Sequence, residues 1–235
     1  MAIVSSMPGL HGAVTGRAAG ERSNVHATAA RHCVRAGTTA TIVFLLIALS
    51  AREGYAQRNV GLFLAGAAIG LGAHEGGHLL FGVVFDADPG IRKVDFHGIP
   101  FFALTHRDGL SPKREFVISS AGFWVQHASN EWLLTQRPQL RRERAPVLKG
   151  MFAFNVLASI AYSTAAFART GPVERDTRGM AASLGAREPW IGALILGPAV
   201  LDTWRYFDAD AEAPVWLSRA LKIGAVLLIF NADRR

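Results

Sequence analysis

Apolar runs occupy residues 36–51, 59–85, 115–134, 147–168, 189–207 and 214–230, several of them approaching the roughly 20 residues that a helix needs to cross a bilayer. Polar stretches such as 136–144 (QRPQLRRER) separate them. Half of the chain is hydrophobic and only 18% is charged, against about 25% charged in an average soluble domain. A water-soluble core does not need such segregation. The expected fold is therefore an all-α integral membrane protein with about six transmembrane helices. The third run contains Gln126, His127, Asn130 and Glu131 and reads equally as a buried or re-entrant helix. The second would extend about 40 Å as a helix, beyond the roughly 30 Å hydrocarbon core, so it must tilt or project at one end.

Residues 1–33 are rich in Ala, Gly, Ser, Thr and Arg, with Glu21 as the only acid, and lack the apolar core of a signal peptide. They read as a disordered basic tail, with a transit peptide or a misplaced start as open alternatives, and 34–235 reads as a multi-pass membrane domain. The net charge of +7 comes mainly from Lys and Arg between the apolar runs, as loop and headgroup charge, so nucleic acid is not an expected partner. Both sets of loops are basic, which leaves orientation open, and a plasma or inner membrane is the expected location. Between the second and third runs, Ile91 to Thr105 alternates apolar and polar residues around a turn at Gly98. That pattern fits a small membrane-associated β-hairpin or an amphipathic loop covering helix ends.

The single cysteine, Cys33, excludes an internal disulfide framework and any Cys-rich zinc module. A bound metal would have to use His and carboxylate ligands. The second run contains His74-Glu75-Gly76-Gly77-His78, an HExxH motif. At i and i+4 on a helix the two imidazoles share a face and can grip one zinc ion, with Glu75 placed as general base. Zinc lowers the pKa of bound water towards 7, and an adjacent carboxylate takes the proton as the oxygen attacks a carbonyl carbon. Ionisable groups inside an apolar run are costly and default to a functional reading. Gly76 and Gly77 remove bulk beside the presumed metal, for a packed neighbour helix or a substrate backbone.

Three pieces in order make the chain resemble the site-2 protease group of intramembrane zinc metallopeptidases. The first is His74–His78. The second, Ala121-Gly122-Phe123-Trp124-Val125-Gln126, resembles that family's Ala-Gly-Pro-x-x-Asn pattern, with Phe123 for Pro and Gln126 for Asn. The third, Leu201-Asp202, resembles its Leu-Asp-Gly, with Thr203 in place of Gly. The resemblance covers about 60–207 and implies zinc held by His74, His78 and Asp202, Glu75 as catalytic base, and Gln126 orienting substrate or oxyanion. It implies membrane-protein or peptide substrates, and membrane-associated strands where 91–105 lies. An additional apolar run, 147–168, separates the second and third pieces. If every intervening run crosses, the His74 and Asp202 helices are antiparallel, whereas the family pattern makes them parallel.

Other ligand sets compete. His127 and Glu131 are also i and i+4, and Asn130-Glu131 resembles the Asn-Glu in which thermolysin-like enzymes place a third ligand. Joined to the first motif they would suggest a membrane di-iron oxidase or hydroxylase. A catalytically inactive membrane scaffold of the same fold is the non-enzymatic alternative. Asp202 has a structural reading too, as an acid paired with Arg205 along its helix. His11, His26, His32, His97 and His106 read as loop residues, and Trp132, Trp190, Trp204 and Trp216 as interfacial anchors. Oligomeric state has no signal in the sequence.

Overall fold

The computed structural model describes residues 54–96, 99–172, 174–230 and 232. The basic tail and the first apolar run lie outside the described residues. The chain divides into two compact units, Met1–Gln57 and Arg58–Arg235, and all the elements below belong to the second except the opening residues of its first helix.

The second apolar run forms helix α1, Gly54–Val84. A two-stranded antiparallel hairpin follows, β1 (Gly90–Phe96) and β2 (Ile99–Thr105), in register from Gly90 opposite Thr105 to Phe96 opposite Ile99. The third run is α2, Pro112–Gln136. Ser111 caps it by accepting from the Arg114 N–H at 3.4 Å, and Pro112 opens it, a position where the missing N–H costs nothing. The fourth run is α3, Pro146–Ala168. A short helix absent from the sequence-based expectation, α4 (Asp176–Leu184), comes next and ends at Gly185. The left-handed φ of 54° at Gly185 lets Ala186 N–H reach back to the Ala181 carbonyl at 2.9 Å, closing the helix as glycine C-termini do. The last two runs are α5, Glu188–Phe207, and α6, Glu212–Leu227, the latter extended by a 3₁₀ turn, Leu228–Phe230.

Helix α5 packs on α3 and α6, and α2 packs on α4 and α5. Close approach of α1 depends on glycine. A methyl group at Gly66 would collide with the Val147 carbonyl and one at Gly150 with the Phe63 carbonyl, so α1 and α3 touch backbone to backbone there. The Gly66/Gly70 pair thus serves helix packing, as small residues do where backbones meet. One apolar cluster joins Phe116, Phe123, Met180, Ile191 and Ile195 across α2, α4 and α5, and a second joins Leu133, Leu134 and Phe152.

Only two stretches of the described residues, Pro146–Ala168 and Glu212–Phe230, are long and apolar enough to cross a membrane by length and composition. Helices α1, α2 and α5 do not qualify, each holding ionisable or amide side chains within its length, such as His74 and Glu75 on α1 or Asp202 and Arg205 on α5. The molecule is mostly helical with one hairpin, as the sequence implies, but its polar residues are turned inward. His74, Gln126, Asn130, Asn155 and Asp202 are all buried, while Leu80, Val83, Val84 and Trp216 are more than half exposed.

Candidate metal centre

One helical turn separates His74 from His78, so α1 alone sets their rings together, with centroids 4.8 Å apart and the two Nε2 atoms 3.2 Å apart. The His78 ring is oriented from behind. Its Nδ1–H donates to the Ile118 carbonyl of α2 at 2.7 Å, which leaves the Nε2 lone pair facing His74. The residue between the rings and α2 is Gly122. A methyl group there would overlap both the His74 and the His78 rings, so the second sequence piece contributes by what it lacks.

The third donor comes from α4. Asp176 Oδ2 stands 3.5 Å from His74 Nε2 and 3.4 Å from His78 Nε2. Among the described residues these three form the only group of His, Cys, Asp and Glu whose ligand atoms could share one ion, all within 4.8 Å of one another. The histidines are 2% and 7% exposed and Asp176 18%, so water does little to separate the converging lone pairs. Asp176 Oδ2 is buried and accepts no hydrogen bond. Burial alone would raise the Asp176 carboxyl, but His78 and His74 outweigh it and hold the group well below the usual carboxylate range. Two imidazole nitrogens and a carboxylate oxygen at this spacing could hold one ion between them. The donor chemistry fits a divalent metal such as zinc.

The position of Asp176 is built by its neighbours. On one side Arg175 forms a two-pronged pair with Glu188, Nε to Oε1 and Nη2 to Oε2 both at 2.6 Å. On the other, the Thr177 hydroxyl donates to Glu188 Oε1 at 2.7 Å. Burial would raise Glu188, yet the Arg175 guanidinium and the Thr177 hydroxyl hold it below its ordinary value. Gly179, one turn further on, lets α4 lie so close to α2 that a methyl would strike the Ser119 hydroxyl.

No protein family, no curated protein and no solved structure matches this chain. The site has to be read from its own residues.

Two cavities meet at His78 and Asp176. One, of about 260 Å³, is polar and lined by Arg92, His106, Asp108, Glu115 and Glu174 among others. The other, of about 400 Å³, is apolar and lined by Phe102, Ala161, Tyr162, Ala165 and Pro172, together with Glu75. His78, Leu104 of β2, Glu174, Arg175 and Asp176 belong to both walls. Tyr162 also packs against the His74 ring at 5.8 Å and edge-on to Phe123 at 5.1 Å.

The remaining sequence candidates lie elsewhere. Asp202, expected as the third ligand, is not in the cluster. It is fully buried, but its Oδ1 accepts from Ser218 at 2.6 Å and Lys222 at 2.8 Å, with Arg205 at 3.4 Å. Glu131, an alternative ligand, is held by Arg205 at 2.6 Å, Arg219 at 2.8 Å and Lys222 at 3.0 Å. A carboxylate surrounded by cations has little left for a metal. His127 is buried with Nδ1 unbonded, and Gln126 is buried with neither side-chain atom bonded; neither enters the donor cluster. The di-iron arrangement thus finds no second group of donors among the described residues. Asp176 carries no sequence signal of the kind that marked the others, because its surroundings, RTGPVERDTRG, are polar and read as a loop.

Proposed function

We propose that this chain is an intramembrane zinc metallopeptidase, with His74, His78 and Asp176 as metal ligands and Glu75 as general base. The observation that carries the reading is the convergence of the HExxH imidazoles with Asp176 Oδ2, a buried oxygen that accepts no hydrogen bond, beside a cavity that Glu75 also lines. The ligand set departs from the site-2 protease pattern, since the third ligand lies on the short helix α4 and not on the Leu-Asp helix. Zinc held there would make water acidic and polarise a peptide carbonyl. Glu75 would accept the water's proton and pass it to the amine that departs. The Ile118 carbonyl keeps the His78 ring in its ligating tautomer, and the Arg175–Glu188–Thr177 clasp keeps the carboxylate in reach.

A membrane setting is supported by the two span-length helices and by exposed leucine and valine on α1 behind a buried polar interior, an arrangement suited to lipid and unfavourable in water. A substrate helix hides its carbonyls in its own hydrogen bonds and would unwind before cleavage. The hairpin, whose β2 supplies Phe102, Ala103 and Leu104 to the cavity walls, could hold the extended segment by strand addition.

Elemental mass spectrometry of the detergent-purified protein tests the metal. About one zinc per chain is expected, lost in His78→Ala and Asp176→Ala and kept in Asp202→Ala and Glu131→Ala. Glu75→Gln is expected to keep zinc while peptide cleavage falls at least about 100-fold. Two irons, or zinc indifferent to His78, would overturn the proposal.

A further inference from the structure

The two cavities differ in polarity, and only one of them touches the general base. Glu75 lines the apolar cavity and is absent from the polar wall, whereas His78 and Asp176 belong to both. The scissile carbonyl therefore belongs at the shared junction. In hydrolysis the hydroxyl of water bonds to the carbonyl carbon, the C–N bond breaks, and the proton taken by Glu75 leaves on the nitrogen, returning Glu75 to a carboxylate. A carboxylate can hand over that proton only within hydrogen-bond reach, so the nitrogen must lie on the side of Glu75.

From this we infer that the residue donating the amine, C-terminal to the cut bond, occupies the apolar cavity, and the residue donating the carbonyl occupies the polar one. This assignment rests on the peptidase reading above and names its substrate class: segments in which a polar or basic residue is followed directly by an apolar one.

The walls support each half. Ala161 and Ala165, one turn apart on α3, leave space between Phe102 and Tyr162, and about 400 Å³ accommodates a branched or aromatic side chain. Asp108 and Glu115 line the polar cavity alone, with Arg92 and with His106, which reaches Glu115 at 3.4 Å, while Glu174 and Arg175 lie at the junction and line both cavities. Arg92 is engaged by Glu174 at 2.8 Å, and the other guanidinium of that wall, Arg175, is committed to Glu188. An apolar side chain there would strip water from carboxylates without replacing its hydrogen bonds, whereas a lysine ammonium supplies donors. A polar segment that turns apolar along the chain is what a polypeptide presents where it enters a bilayer.

Binding and cutting can be read separately. The Glu75→Gln protein in detergent, loaded with zinc, is titrated with two fluorescently labelled peptides of equal composition, one with Lys–Leu at its centre and one with Leu–Lys. Fluorescence anisotropy is expected to give at least tenfold tighter binding of Lys–Leu. Ala165→Phe, introduced in the same background to narrow the apolar cavity, should erase the difference while zinc content stays unchanged. Wild-type protein given a longer peptide with both junctions should cut between Lys and Leu, as mapped by mass spectrometry. Equal or reversed binding, or cleavage between Leu and Lys, overturns this assignment and leaves the peptidase reading standing. Absence of any Glu75-dependent cleavage overturns the peptidase reading and the bond assignment together.

Discussion

The protein contains two buried clusters built from the same kinds of residue, and they resolve their charges in opposite ways. Around Glu131 and Asp202, carboxylates from α2 and α5 meet Arg205, Arg219 and Lys222 at 2.6–3.0 Å, and Ser218 also donates to Asp202 Oδ1 while its Oδ2 has no partner. At Asp176 the groups within ion-pair reach among the described residues are the two imidazoles, with no lysine or arginine, and Oδ2 accepts no hydrogen bond. Burying an acid is tolerated when cations answer it, and the first cluster is a brace between helices on that principle. The second brings two imidazole nitrogens and a carboxylate oxygen within reach of one ion, an arrangement that could hold a metal. Burial, acidity and an unbonded oxygen do not by themselves separate a ligand from a strut, since Asp176 Oδ2 and Asp202 Oδ2 share all three; the two imidazoles that converge on Asp176 do.

Exchanging the two aspartates should break the comparison most visibly. Asp176→Ala is expected to lose zinc, by elemental analysis. Asp202→Ala should keep zinc while losing about 1–3 kcal/mol of stability, because Ser218 and Lys222 lose a buried acceptor even though Glu131 still answers Arg205 and Lys222. Loss of zinc in Asp202→Ala with unchanged stability would reverse the two assignments.

A smaller effect is expected from Gly122→Ala, which drives a methyl into both imidazole rings. Zinc affinity should fall about 10- to 100-fold, the usual cost of disturbing the shell behind metal ligands, measured by competition with a chelator. Gly61→Ala, where a methyl meets open space, is the matched control.

Glu188→Gln probes the clasp that holds Asp176. Because Glu188 is held below its ordinary value in the folded protein, its charge contributes stability above its unfolded pKa of about 4.3, and that contribution is lost as pH falls through the lower folded value. The stability difference between wild type and Glu188→Gln should therefore be full at neutral pH and shrink only below about pH 4.3, followed by denaturant titration of metal-free protein. A difference independent of pH would mean that the clasp acts by shape alone.

Arg219→Ala should have the smallest effect. Its side chain is 38% exposed, and Glu131 retains Arg205 and Lys222, so a loss under about 1 kcal/mol is expected with zinc unchanged.

Much of this architecture was readable along the chain. Apolar runs became α1, α2, α3, α5 and α6, and the alternation around Gly98 became β1 and β2. Helix α4 was not readable, since nine residues with Asp, Thr and Arg at their start carry no apolar period to stand out from the loops on either side. That is also why Asp176 escaped notice. Asp202 was conspicuous for the opposite reason, an acid within an apolar run, yet what neutralises it comes largely from α6, whose Ser218 and Lys222 lie 16 and 20 residues further on.

The pairing of His74 with His78 and the adjacency of Glu75 follow from the amino-acid order alone, because a helix repeats every 3.6 residues and sets i and i+4 side by side wherever it lies. Which carboxylate would join them depended on how distant helices pack. Gly122 and Gly179 had to let α2 lie against α1 and α4, and Glu188 had to draw in Arg175 and Thr177, before Asp176 reached the histidines. Contacts between residues 98 and 102 positions apart are set by three-dimensional packing and not by local periodicity.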